Sequence, residues 1–184
     1  MAPELYTLIA FLAIVAAYLL HRLLIGGREF RQLSGKMLVE CPETHERVAV
    51  EVASGRAALA AVVGKEHIEL KHCTRWPERK DCDQACLCEL EGDPQAHSVW
   101  TMAARWYEGK HCVYCGRPIP AFSHLDHPPS VVSPENEILD WDKVAPERLP
   151  DALASGRPVC WNCGIIEGFR QHKPELIIER PWKH

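Results

Sequence analysis

The sequence lacks the short motifs of several common chemistries. It contains no CxxCH motif for covalent haem, no glycine-rich loop that would cradle a phosphate and no GxSxG motif. A basic excess is also missing, since 25 acidic side chains outnumber 21 Lys and Arg and the formal net charge is -4. Nucleic-acid binding usually requires a basic face. We therefore expect no nucleic-acid partner, and no motif identifies a small-molecule substrate.

Basic residues are absent from residues 1–4, and no small-x-small cleavage site follows Gly27. Both absences argue against a cleaved signal peptide. Residues 5–25 are nevertheless overwhelmingly apolar, and at about 1.5 Å per residue they would span a hydrocarbon core of about 30 Å. We therefore predict an uncleaved transmembrane anchor over residues 1–27.

Basic side chains instead follow the apolar run, at Arg22, Arg28, Arg31 and Lys36. The positive-inside rule then places the rest of the chain in the cytoplasm. We predict a single-pass protein of the inner (cytoplasmic) membrane, with residues 28–36 as a juxtamembrane connector. Because the cytoplasm is reducing, the 9 cysteines are expected to be free thiols or metal ligands.

Two CxxCG turns dominate the C-terminal half, Cys112 to Gly116 and Cys160 to Gly164. Two thiolates separated by two residues can bind one metal ion, and the glycine permits the tight backbone that follows. The long segment between the turns should contain a hairpin or small subdomain that the metal closes. We predict a zinc subdomain over residues 110–184, with zinc bound by Cys112, Cys115, Cys160 and Cys163.

The other cysteines lie in residues 37–92, predicted to form a first cysteine-rich subdomain. Strand-like segments at 37–40 and 47–52 predict a hairpin with Cys41 at its turn, and residues 53–63 predict a short helix. A strand at residues 68–70 would lead into Cys73.

Cys82 and Cys86 are four residues apart and would share a face of a helix. A second site would then be formed by Cys41, Cys73, Cys82 and Cys86. Four thiolates suit zinc or an iron–sulfur cluster; we expect zinc at this second site as well, and an iron–sulfur cluster stays open as the alternative. The alternative ligands are Cys88, His45 and His72.

A connecting helix is predicted over residues 93–109, with Asp93 and Pro94 at its start and Gly109 at its end. Its apolar positions predict one buried face, while Trp100 and Tyr107 would point elsewhere. Further along, the pattern predicts a strand at 137–141, helices at 147–155 and after Cys163, and a final strand in the tail at 175–184. The fold class is therefore α+β, with short hairpins and helices joined by metal.

A CxxCG turn facing a CxxC pair at the start of a helix resembles a treble-clef zinc domain over residues 110–174, with a zinc ribbon as the close alternative. Within it, Asp126-His127-Pro128 and Asn136 between the cysteine pairs are similar to the zinc-containing HNH endonucleases. That resemblance implies a water-activating role for His127. The chain departs from the family at Gly164, where His or Asn is usual, and in its missing glycine pair and basic surface.

The function expected from these features is that of a membrane-anchored zinc protein without catalytic activity. It would serve as an accessory, assembly or scaffold subunit of an integral-membrane complex. Two alternatives stay open: an iron–sulfur electron-transfer subunit that uses the upstream cysteines, and a degenerate HNH-like nuclease domain.

Overall fold

The computed structural model describes residues 2–65, 67–76, 78, 81–124 and 126–174. The chain is an α+β protein that divides into two compact units, residues 1–98 and 99–184. The predicted strand in the tail, 175–184, lies outside the described residues.

One long helix, α1 (Ala2–Gln32), opens the first unit. Its segment Pro3–Gln32 is long and apolar enough to cross a membrane, with a mean hydropathy of 2.3 in its most apolar window. Most of its large apolar side chains are exposed, including Phe11, Ile14 and Leu19. The helix continues past Gly27, so residues predicted as a connector are largely helical.

Helix α1 packs against α2 (Ser54–Val62) through a glycine and an arginine. A side chain at Gly26 would meet the Val62 side chain and the Ala58 carbonyl oxygen, so the missing side chain permits close contact. Arg22 donates from Nε to the Val62 carbonyl at 2.6 Å and from Nη2 to the Ala61 carbonyl at 2.9 Å. Both carbonyls lie in the last turn of α2, where the Ala61 carbonyl also accepts the Gly64 amide, and a cation there opposes the negative end of the macrodipole.

The first unit also contains an antiparallel sheet in the order β1-β2-β3, formed by β1 (Lys36–Glu40), β2 (Arg47–Val52) and β3 (Leu70–Cys73). The predicted hairpin is confirmed, with Met37 paired to Val50 and Val39 paired to Val48. A short 3-10 helix, Ala85–Glu89, follows β3. The buried core of this unit comprises Leu33, Met37, Val39, Val48, Val50, Val52, Ala57, Leu70, Cys73, Cys86 and Leu90.

The second unit begins with α3 (Val99–Tyr107), later than the predicted start at Asp93. The Asp93 carboxylate instead accepts a hydrogen bond from the Gln95 amide in a turn. The Leu38 amide donates to the His97 carbonyl at 2.8 Å, and Ser98 forms an isolated antiparallel β-bridge with Met37. Residues paired with a strand in this way cannot also be helical, so the helix begins at Val99.

A second antiparallel sheet has the order β5-β4-β6, with β4 (Ser130–Val132), β5 (Ile138–Leu139) and β6 (Arg157–Val159). A 3-10 turn at Pro146–Arg148 leads into α4 (Leu149–Ser155), and α5 (Trp161–His172) follows β6. The buried core consists of Ala103, Tyr107, Cys112, Ile119, Val131, Val132, Trp141, Leu149, Leu153 and Val159.

Aromatic side chains fill much of this core. Tyr107 is only 2% exposed, and the Trp100 ring lies 5.3 Å from Phe122 and 5.4 Å from Trp141, measured between centroids. Trp100 and Tyr107, which point away from the predicted apolar face of the helix, are therefore also part of the core. Edge-to-face packing of these rings stabilises the unit beyond the burial of their area.

The glycine contact between α1 and α2 gives a matched pair of variants. Gly26→Leu should lower the free energy of unfolding by about 1–3 kcal/mol, because the new side chain must displace α2. Gly27→Leu is the control, since a Cβ atom added there meets nothing within 4 Å. Thermal unfolding of the full-length protein in detergent measures both. Equal melting temperatures for the two variants would contradict the proposed close packing.

Candidate metal centre

The first CxxCG turn has a hydrogen-bonded backbone that places Cys112 and Cys115 on one side. The Cys112 amide donates to the Arg117 carbonyl at 2.9 Å, and the Gly116 amide donates to the Cys112 carbonyl at 2.9 Å. Gly116 has a φ of +69°, a left-handed conformation that favours glycine. The predicted role of this glycine is therefore confirmed.

The second cysteine pair lies where β6 passes into α5. Cys160 has an extended backbone and is the N-cap of α5, while Cys163 lies in the first turn of the helix. The Gly164 amide donates to the Cys160 carbonyl at 2.9 Å. The turn role predicted for the second glycine is wrong, because Gly164 is helical. A side chain at Gly164 would collide with Ser130, so glycine is needed for the close approach of α5 to β4.

A backbone contact brings the two pairs together, because the Val113 amide donates to the Pro158 carbonyl at 3.0 Å. The four sulfur atoms of Cys112, Cys115, Cys160 and Cys163 all lie within 4.8 Å of one another. The Cys115 and Cys160 sulfurs are 3.8 Å apart. A tetrahedral ion with metal–sulfur bonds of about 2.3 Å places its ligands about 3.8 Å apart. We call this group the CxxCG centre, and it can hold a metal ion.

The four thiols have different electrostatic surroundings. Burial opposes ionisation of Cys112, but hydrogen bonds from the amides of Cys115, Cys160 and Tyr114 outweigh it and lower the pKa of this thiol to about 6. Burial and the neighbouring sulfurs raise the pKa of Cys160 and of Cys163. The four sulfurs are thus too close to carry full charge together, and a bound cation would remove that repulsion.

The residues of the HNH resemblance have contacts of their own. The Asp126 carboxylate accepts hydrogen bonds from the Ser123 amide at 2.7 Å and hydroxyl at 2.8 Å, which lower its pKa. The His127 ring stacks on Trp161, with centroids 4.3 Å apart. The Asn136 side chain accepts a hydrogen bond from Arg157. These contacts hold the loop between Cys115 and β4 and the turn between β4 and β5.

Cys41, Cys73, Cys82 and Cys86, which we call the first-unit cysteines, line one small cavity of about 30 Å³. Burial, followed by the thiols of Cys73, Cys82 and Cys41, raises the pKa of Cys86 to about 11. Their sulfurs are more widely spaced than those of the CxxCG centre. Within the described ranges, no second group of three or more His, Cys, Asp or Glu has all its ligand atoms within 4.8 Å.

The prediction that Cys82 and Cys86 share one face of a helix is wrong. The 3-10 helix begins at Ala85, after Gln84 adopts a left-handed backbone with φ of +58°, so Cys82 lies in the preceding loop. The three alternative ligands, Cys88, His45 and His72, are exposed.

Sequence reasoning also missed Arg75, whose Nη1 donates to the Cys41 sulfur at 3.0 Å. Burial acts against ionisation of Cys41, but the Glu43 amide, the Thr44 hydroxyl and amide and the Arg75 guanidinium lower the pKa of its thiol. The only signal in the sequence was the position of Arg75, two residues after Cys73.

In comparisons with known proteins, no family model, no curated protein and no solved structure matches this chain. What the geometry itself defines is an α+β protein with an apolar N-terminal helix and a four-cysteine group that can bind metal.

Removing one ligand of the CxxCG centre should unfold the second unit. Cys112→Ser and Cys163→Ser should each lose the metal of this centre, because structural zinc contributes folding free energy on the order of 10 kcal/mol. Elemental analysis and thermal unfolding of the full-length protein test this expectation. Cys88→Ser, an exposed cysteine of the first unit, is the control. Unchanged melting curves and metal content in both ligand variants would refute a structural role.

Proposed function

We propose that this protein is a single-pass membrane protein of the inner (cytoplasmic) membrane, with both units in the cytoplasm. It acts as a non-catalytic accessory, assembly or scaffold subunit of a larger membrane complex. The CxxCG centre binds zinc within a treble-clef-like domain over residues 110–174.

The ligand set supports zinc at the CxxCG centre. Four thiolates complete a tetrahedron and leave no open coordination position for a substrate, which is typical of structural zinc sites. One pair lies on a tight turn and the other at the N-terminus of α5, where amide groups favour anionic sulfur. This arrangement of a turn and a helix start favours the treble-clef type over a zinc ribbon, in which both pairs lie on hairpins.

The exposed apolar surface of α1 supports membrane insertion. Leu5, Phe11, Ile14 and Leu23 are each more than half exposed, at 57%, 63%, 69% and 63%. Apolar side chains in such number are stable against lipid and costly in water. The basic residues at the C-terminal end of the helix support a cytoplasmic position for both units.

The observation that carries the accessory role is an apolar surface around the CxxCG centre. Val113 and Tyr114 are 43% and 45% exposed on the first turn. Trp161, Ile165 and Phe169, at helical intervals of four residues, form a stripe on α5 that is 38%, 38% and 46% exposed. Ile166, beside this stripe, is 50% exposed. Exposed apolar side chains on a segment that a metal centre holds rigid are typical of a protein interface.

Co-purification from native membranes tests this role. In mild detergent, the wild-type protein should retain an integral-membrane partner, and Ile166→Asp should lose it because a charge would enter an apolar contact. The matched control is Ala154→Asp, which adds the same charge at an exposed position on α4. Thermal unfolding should show all three proteins folded. Recovery of the wild-type protein alone, or equal retention by both variants, would contradict the interface.

The predicted topology can be measured through Cys88, an exposed thiol. A membrane-impermeant maleimide should label it only after the inner membrane of spheroplasts is permeabilised, since the positive-inside rule places the first unit in the cytoplasm. Cys88→Ser identifies the signal of this thiol against those of the other cysteines. Labelling of Cys88 in intact spheroplasts would reverse the topology.

A further inference from the structure

The turn after β1 has the same backbone hydrogen bonds as the first turn of the CxxCG centre. The Cys41 amide donates to the Glu46 carbonyl at 2.9 Å, and the His45 amide donates to the Cys41 carbonyl at 2.7 Å. Cys112 makes both bonds at the same sequence offsets, five and four residues further along the chain. A metal-binding backbone is therefore repeated in the first unit, around a single cysteine.

The fourth residue after the cysteine is left-handed in both turns. His45 has a φ of +55°, where Gly116 of the CxxCG turn has +69°. This backbone conformation is uncommon for a residue with a side chain, although histidine adopts it more often than most, and uncommon conformations of this kind cluster at functional sites. Thr44 occupies the position that Cys115 has in the other turn, so the turn after β1 supplies one thiol instead of two.

The missing thiols come from other elements. Cys73 ends β3, Cys82 lies in the following loop and Cys86 lies in the 3-10 helix. Cys73 and Cys86 are 6% and 7% exposed, and both face the cavity of about 30 Å³ together with Cys41. A single water molecule needs about 10–15 Å³ by the same measure. The cavity thus suits one ion and is too small for an organic cofactor.

Hydrogen-bond donors surround this sulfur-lined cavity. Arg75 Nη1 contacts the Cys41 sulfur at 3.0 Å and the Thr44 hydroxyl at 3.4 Å. Trp76 also lines the cavity, and its indole nitrogen is buried without a hydrogen-bond partner among the described residues. N–H groups around thiolate ligands offset the negative charge of a four-thiolate site and orient its sulfurs.

We propose that Cys41, Cys73, Cys82 and Cys86 bind one zinc ion in the first unit, independently of the CxxCG centre. The soft ligand set selects zinc over magnesium or calcium. Binding draws the four sulfurs to tetrahedral spacing and joins the β1–β2 turn, the end of β3 and the 3-10 helix. This ion would stabilise the unit that is continuous with α1, a role separate from partner binding by the second unit.

Zinc content of the full-length protein, expressed with zinc and purified in detergent without oxygen, tests the proposal. The wild-type protein should contain two zinc ions per chain, Cys82→Ser one and Cys88→Ser two. Cys82 is the ligand chosen because it lies in a loop outside the buried core. The double variant Cys82→Ser/Cys163→Ser should contain none. One zinc per wild-type chain that persists in Cys82→Ser and disappears in Cys163→Ser would overturn the site.

A second measurement uses no variant, so its result does not depend on whether a variant folds. With wild-type protein alone, a zinc chelator should increase the rate at which an alkylating reagent modifies Cys82, while exposed Cys88 should react at the same rate with or without chelator. An unchanged Cys82 rate would overturn the proposal. Iron with sulfide and brown absorption near roughly 400 nm would overturn the zinc assignment. None of these readouts depends on partner co-purification.

Discussion

The geometry of the second unit depends on bringing together two cysteine pairs that are distant in sequence. Four sulfurs within 4.8 Å of one another cannot all carry a negative charge unless a cation is bound. The polypeptide prepares the junction with neutral contacts, chiefly the Val113 amide on the Pro158 carbonyl and the close approach of Gly164 to Ser130. Small units with limited cores commonly need such a metal. The sheet, the aromatic core and α5 are all attached to this junction.

Local chemistry explains which features could be predicted from the sequence. The first CxxCG turn was predictable because its cysteine pair and left-handed Gly116 are contiguous in the chain. Short apolar segments rich in β-branched residues identified β1 and β2 for the same reason. Gly164 of the second pair is helical, and glycine is needed there because α5 lies close to Ser130, which is distant in sequence. The start of α3 was not predictable, because His97 and Ser98 are removed from the helix by pairing with β1, which is far away in sequence. The burial of Tyr107 likewise depends on Phe122, Trp141 and other residues that no helical pattern contains.

The same reasoning applies to the first-unit cysteines. Helical spacing suggested that Cys82 and Cys86 share a face, but left-handed Gln84 separates them into a loop and a 3-10 helix. The turn at Cys41 could not be recognised from the sequence, because Thr44 and His45 stand at the positions of the second cysteine and the glycine of a CxxCG motif. Backbone hydrogen bonds make the likeness to the Cys112 turn visible, whereas the residue types conceal it. Arg75 follows β3 and Cys41 follows β1, so they meet because both strands pair with β2.

Arg22 and the uninterrupted course of α1 have a mechanical consequence. From Arg22 to Gln32 the helix rises by about 15 Å without interruption. At the start of this segment, the hydrogen bonds from Arg22 hold the C-terminal end of α2 against α1. In a membrane-inserted chain, the first unit would be held at a set height and rotation above the lipid, with none of the reach of a flexible tether. Tilting the helix within the bilayer would swing this unit as a lever. Forces on the anchor would then reach the β-sheet directly.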